Sequence, residues 1–161
     1  MDGKSQQRIL VELFSFAQEV MDMYHIYPYV SFVIKDGIIV SKGYNRERES
    51  RDVTDQGDVV AIRNAQTALD TGDLKGYSLL GFFEPTILGF DVALWSGITD
   101  FNWCINSSSL PQFYNNLRYT PLDYLENHPG KITIQNGIEE KKALGRVSQA
   151  KDGKYYPDNR L

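Results

Sequence analysis

The chain has 161 residues, a formal net charge of −4, 42% apolar and 24% charged residues, and a single cysteine, Cys104. That length fits one domain with a substantial core, the lone cysteine excludes an internal disulfide and favours a reducing compartment, and the acidity disfavours a nucleic-acid partner, which needs a basic face. No apolar run is long enough to span a bilayer, and the opening MDGKSQQRIL lacks a basic flank followed by an apolar core, so no membrane partner is expected and the cytoplasm is the default setting.

From Ser5 to Tyr24 the residues Ile9, Leu10, Leu13, Phe14, Ala17, Val20, Met21 and Tyr24 recur at three- and four-residue steps, which predicts an amphipathic helix. YVSFVIKDGIIVSKGYN predicts two strands joined around Lys35-Asp36-Gly37, because Asp-Gly favours hairpin turns. The charge-rich NRERESRDVTDQGD reads as a loop, and Val59, Ile62, Ala65 and Leu69 then mark a helix over Val59–Asp70. YSLLGFF is a short apolar strand, Ile87–Trp95 a helix with Gly97 close behind it, and DFNWCIN a half-buried strand alternating Phe101, Trp103 and Ile105. A loop-rich segment with two proline-marked turns follows Ser107, then KITIQN as a last strand and Ile138–Ala150 as a last helix. Residues 1–161 are thus read as one domain. It has a core over about 8–106, a C-terminal strand and helix over about 130–150, and a tail, 151–161, that packs on the surface or reaches a neighbour. Helices alternating with strands predict a layered α/β fold with partly parallel strands.

Two stretches carry a resemblance. Asp52-Val53-Thr54-Asp55-Gln56-Gly57-Asp58-Val59-Val60-Ala61-Ile62-Arg63-Asn64-Ala65 is similar to D-P-T-x-H-A-E-V-x-A-I-R-x-A, and Glu84-Pro85-Thr86-Ile87-Leu88-Gly89, with Trp95 six residues on, is similar to E-P-C-x-x-C and its helix. With the hairpin and Asn45 upstream, the chain resembles the zinc-dependent nucleobase and nucleoside deaminases. Within them it resembles the branch of guanine deaminases and bacterial tRNA adenosine deaminases, whose signature is H-x-E followed by P-C-x-x-C. The resemblance covers roughly Leu10 to Ile105. It implies a three-layer α/β/α, cytidine deaminase-like fold with a mixed sheet of about five strands.

The departures fall on the chemistry. In that family one His and two Cys hold zinc and a Glu shuttles protons; the matching positions here are Gln56, Thr86, Gly89 and Asp58. Zinc ligands act as thiolate, carboxylate or neutral imidazole. An amide, an alcohol and a glycine are not such a set, so no catalytic residue and no metal or other cofactor is expected at these positions. The loss is large, because zinc brings the pKa of its water from about 15.7 to about 7. Asp58 is also shorter than Glu by roughly an ångström, a misplacement that can cost about 10²-fold in rate. Val30, Phe32, Phe82 and Phe83 are expected to fill part of the vacated space, and Ile87, Leu88 and Phe90 to replace the zinc tie by apolar packing.

Other residues admit plainer readings. Asn45 matches a substrate-contacting asparagine but sits in a Gly-Tyr-Asn turn context. Asp55, Asp58, Glu84 and Asp91 could attract a hard cation, although helix starts commonly carry such acids. His25 suits a helix C-terminus, His128 a turn, and Cys104 a small buried filler. Arg46, Arg48 and Arg51 could touch phosphate, yet the interspersed Glu residues favour a solvated loop. The expected role is a catalytically inactive deaminase-fold protein, binding or assembling as a homodimer or as a hetero-oligomer with an active deaminase. A base or nucleoside is the candidate ligand, near Asn45, Asp58, Glu84, Phe32, Phe82 and Phe83. The alternatives are a deaminase-type hydrolase with an atypical site and a structural protein with a closed pocket.

Overall fold

The computed structural model describes residues 3–109 and 130–149. The long helix α1 (Gly3–Tyr24) buries Ile9, Leu13, Phe14, Ala17, Val20 and Met21 along one stripe, each large aliphatic side chain contributing about 1.5–3 kcal/mol. It ends as His25 turns left-handed (φ 54°) and returns its N–H to the Met21 carbonyl at 3.1 Å. Strands β1 (Val30–Lys35) and β2 (Ile38–Tyr44) form the expected hairpin around Asp36 and Gly37, both at positive φ.

The charged stretch after β2 is not all loop. It contains one helical turn, α2 (Glu47–Ser50), and α3 (Gly57–Leu69) starts two residues before the expected Val59. Then come β3 (Ser78–Phe83), α4 (Ile87–Trp95), β4 (Asp100–Ile105), β5 (Thr133–Gln135) and α5 (Glu140–Gln149). The proline-marked turns after Ser107, His128 and the tail lie outside the described residues.

The strands form one mixed five-stranded sheet in the order β2-β1-β3-β4-β5. β1 runs antiparallel to β2 and β3, while β3, β4 and β5 are parallel. α1 and α5 cover one face, packing on Val30, Phe32, Ile34, Leu80, Phe82 and Cys104. α3 and α4 cover the other, over Val33, Leu79, Phe101 and Trp103. This is a three-layer α/β/α architecture with a mixed five-stranded sheet, as the resemblance implies. β4, expected to be half-buried, is covered on both faces, with Trp103, Cys104 and Ile105 all inaccessible. Helix α3 lies very close to the hairpin. A Cβ on Gly43 would come 2.8 Å from Ala61 Cα, and one on Gly57 would come 2.9 Å from the Tyr29 carbonyl carbon. That closeness sets where the first turn of α3 meets that of α4.

Candidate functional site at two helix starts

Gln56, Asp58, Thr86 and Gly89 come together where α3 and α4 begin. Gln56 and Thr86 are the residues just before the two helices, both with extended backbone. The Thr86 hydroxyl accepts from the Gly89 N–H at 3.1 Å, capping α4, and donates to Gln56 Oε1 at 2.6 Å. One hydroxyl thereby satisfies a free helix donor and links the two helices. The tie between the helix starts is polar, contrary to the apolar packing expected from Ile87, Leu88 and Phe90. Phe90 instead faces the core against Phe101, with ring centroids 4.4 Å apart, and Ile87 and Leu88 remain partly exposed.

Asp58, on the first turn of α3, is buried and accepts a hydrogen bond from the Ser31 hydroxyl of β1. Burial pushes its carboxyl up to about 6, opposed by the Ser31 hydrogen bond and by the Thr86 backbone N–H. The carboxylate lies against Gly89. A Cβ built there would sit 2.6 Å from Asp58 Cβ and 2.9 Å from its Cγ, with Oδ2 also in the way.

Other candidates lie elsewhere. Asn45 Oδ1 accepts from the Glu47 N–H at 3.0 Å, closing a turn before α2, and its own N–H donates to the Tyr29 carbonyl at 3.0 Å. Glu84 is buried and its Oε2 accepts from the Ser107 N–H at 2.7 Å, fastening the start of the β3–α4 turn to the segment after β4. The rings do not fill the space at the helix starts. Val30, Phe32, Phe82 and Phe83 belong to the cluster beneath α1, with Phe83 stacked on Tyr29 at 4.5 Å. The pleat explains this for Phe32: alternate residues point to opposite faces, so Ser31, not its larger neighbours, faces Asp58. Ser31 is the site residue that sequence reasoning missed. Its signal was a small polar residue amid the apolar run of a buried strand.

Asp55 is held below the usual carboxylate range by hydrogen bonding from Ser50, with Arg63 and Arg46 adding to the effect, and it forms ion pairs with both arginines. Asp55, Arg46 and Arg63 are thus committed to one another rather than to a ligand phosphate. Among the described residues no group of three His, Cys, Asp or Glu side chains converges to hold a metal ion. The donor set at the helix starts does not fit zinc either. It offers an amide oxygen and a hydroxyl already bonded to each other, one hydrogen-bonded carboxyl, and a glycine whose side-chain space is taken. Cys104 is buried on β4, where burial pushes its thiol up to about 12. None of the described helices is long and apolar enough to cross a membrane.

No family profile matches the chain. Over 130 residues it is 34% identical to the tRNA-specific adenosine deaminase of Aquifex aeolicus (strain VF5), covering 81% of this chain and 72% of the relative. Guanine deaminase from Nitrosomonas europaea superposes with a TM-score of 0.74 at 20% identity, over 86% of this chain and 81% of that one. A tRNA:A34 deaminase, studied for A-to-I editing at the wobble position of transfer RNA, superposes with a TM-score of 0.64 at 19% identity, over 84% and 98%. At such identities the structural likeness speaks for the shared fold.

Proposed function

The chain belongs to the deaminase family that includes the tRNA-specific adenosine deaminases, and we propose that it is a member that has left the zinc-dependent reaction and serves as a binding or assembly subunit. The observation that carries this reading is the contact of the Asp58 carboxylate with Gly89. A zinc-binding thiol at position 89 and the present Asp58 cannot occupy the same volume. The Thr86–Gln56 hydrogen bond supplies a link between the helix starts that does not need a metal.

Assembly is supported by α4, whose sequence ILGFDVALW carries one charge and ends in Trp95, 81% exposed. An exposed ring on an apolar helix is suited to a protein interface. The partner in this reading is a second copy or an active deaminase. A base or nucleoside remains the proposed small ligand, and the proposed setting is the cytoplasm, in keeping with the single cysteine.

The competing reading is a deaminase-type hydrolase with an atypical site. It has the family membership in its favour, together with one buried carboxyl at a helix start, Asp58. Metal analysis of the purified chain, combined with ammonia release from guanine, cytosine and adenosine-containing tRNA, separates the two. The subunit reading expects no stoichiometric zinc and no ammonia. One equivalent of zinc, or sustained ammonia release, would overturn it.

A further inference from the structure

The connection from β5 to α5 has an irregularity that plays no part at the helix starts of α3 and α4. The Thr133 N–H donates to the Thr99 carbonyl at 2.8 Å and the Ile138 N–H to the Trp103 carbonyl at 3.1 Å. The two acceptors are four residues apart in the chain, whereas the two donors are five apart. One extra residue is therefore bulged out of the parallel ladder at Asn136-Gly137. Gly137 takes it up with a left-handed φ of 67°. Asn136 is exposed, and among the described residues nothing bonds to its amide or accepts from the Gly137 N–H.

Asparagine is thermolabile, and most so before glycine, whose nitrogen no side chain shields. Comparable pairs elsewhere are locked. At Asn106-Ser107 the side-chain amide donates to Glu140 Oε1 at 2.9 Å and its oxygen accepts from Trp103 Nε1 at 3.0 Å. The Ser107 N–H is also taken, donating to Glu84 Oε2 at 2.7 Å. Asn64-Ala65 lies inside α3, where the helix ladder uses the Ala65 N–H. At Asp36-Gly37 the Lys35–Ile38 pair closes the turn, and Arg8 holds the Gly37 carbonyl at 2.9 Å. Asn136-Gly137 has none of these restraints.

We propose that Asn136 is a site of self-modification, in which the chain supplies the nucleophile and water completes the reaction. The Gly137 nitrogen gives its proton to solvent base and attacks Asn136 Cγ. The new N–Cγ bond closes a succinimide ring as the Cγ–Nδ2 bond breaks, and Nδ2 takes up a proton and departs as ammonia. One water then opens the ring. Cleavage at Cγ leaves aspartate; cleavage at the main-chain carbonyl leaves isoaspartate, with an extra methylene in the backbone. Isoaspartate lengthens the path between the Thr133 and Ile138 N–H groups and so draws Ile138 off the Trp103 carbonyl. That loosens α5, whose Ala143 and Val147 are buried in the cluster beneath α1. The site is separate from the helix starts. It releases at most one ammonia per chain with no base added, so sustained turnover is distinguishable from it.

The test incubates the full chain at mildly alkaline pH, folded and in urea. Tryptic peptides are followed by tandem mass spectrometry, with enzymatic methylation to mark isoaspartate. In the folded chain, peptide 132–141 is expected to gain the mass of an amide-to-acid conversion first. Conversion at Asn106 should be at least about tenfold slower, because its three hydrogen bonds must open. In urea Asn106 should accelerate while Asn136 changes little. Asn136→Gln, which would need a larger and slower-forming ring, should lose both the mass gain and the ammonia. The isoaspartate form, separated by ion exchange, should unfold at lower urea than the intact chain, whereas Asn136→Asp, with the charge but not the methylene, should stay close to it. Conversion of Asn136 confined to the unfolded chain, or equal folded rates at Asn106 and Asn136, would overturn the site. An isoaspartate form as stable as the intact chain would overturn its link to α5.

Discussion

Asp58 occupies the volume that a side chain at position 89 would need. The two residues come from different helices, and their contact exists because one of them has no Cβ. In sequence, Gly89 reads as a missing ligand. In the fold it is the space into which the first turn of α3 has placed a carboxylate.

Gly89→Ala is expected to destabilise the chain by about 1–3 kcal/mol, the range for overpacking a filled site. At an unobstructed helix position the same change would stabilise by roughly 1 kcal/mol, so the sign alone is informative. Urea unfolding of Gly89→Ala, Asp58→Gly and the double variant measures the coupling, because glycine at position 58 removes the Cβ that an alanine at 89 would meet. Additive effects would mean that the two residues do not compete for space.

Restoring the three ligand types together, as Gln56→His, Thr86→Cys and Gly89→Cys, is expected to give a protein without stoichiometric zinc. A thiol at position 89 would still meet the Asp58 carboxylate. Adding Asp58→Gly removes the Cβ as well as the carboxylate and makes room, and zinc content by atomic absorption should rise towards one equivalent. Full zinc in the triple variant would show that Asp58 moves aside freely.

Much of the fold could be read from local pattern. The stripe from Ile9 to Tyr24, the Asp36-Gly37 turn and the apolar nonapeptide at Ile87 each announce their element through a short-range rule. The bonds of the candidate site are longer in sequence: Ser31 reaches Asp58 across 27 residues and Thr86 reaches Gln56 across 30. Such pairs depend on how closely α3 settles on the hairpin, which glycine-to-backbone approaches at Gly43 and Gly57 decide. The hairpin and motif matches suggest Phe32 and Phe82 for the site, whereas both lie in the cluster beneath α1. The pairing of Ser78 with Asp100 and of Asp100 with Thr133 requires the parallel register of β3, β4 and β5, and no local signal encodes it.

Thr86 has two tasks, capping α4 and bonding to Gln56, so Thr86→Ala should cost about 1–2 kcal/mol. Thr86→Ser keeps the hydroxyl and should recover most of the loss. Gln56→Ala removes the link between helices together with a weak 3.4 Å donation to the Val53 carbonyl, and leaves the cap intact. A double-mutant cycle between the two positions is expected to give a coupling of about 1 kcal/mol; zero coupling would mean that solvent replaces the bond without penalty.

The Asp58 carboxyl makes stability depend on pH in an unusual direction. Its folded value is raised from 3.8 to about 6 by burial, so between those values the folded chain holds a proton that the unfolded chain has released. The favourable contribution is fully present below the unfolded value and is lost as pH rises through about 6. The loss is on the order of 2–3 kcal/mol. Asp58→Asn, which stays neutral, should flatten this part of the stability curve when guanidinium midpoints are compared from about pH 4 to about pH 7. Equal slopes in both proteins would show that Asp58 titrates as an ordinary carboxyl.

Trp95 tests the assembly role. Of α4, Gly89, Phe90 and Ala93 are buried and Val92 and Leu94 are partly buried against the core, while Ile87 and Leu88 are partly exposed and Trp95 stands out in solvent. A helix apolar on nearly every side is stable in water when something covers it. Covering a tryptophan removes roughly 150–250 Å² from water, enough at about 25 cal/mol/Å² to dominate a small interface. Trp95→Lys is therefore expected to weaken self-association, or association with an active deaminase, by about 10²-fold or more, while the urea midpoint of the dissociated chain stays unchanged. Sedimentation velocity over a concentration series reads the first quantity and unfolding at low concentration the second. A wild-type chain that stays monomeric throughout and fails to co-sediment with an active deaminase would leave the exposed ring without an assembly role. The case for a subunit would then rest on ligand binding alone.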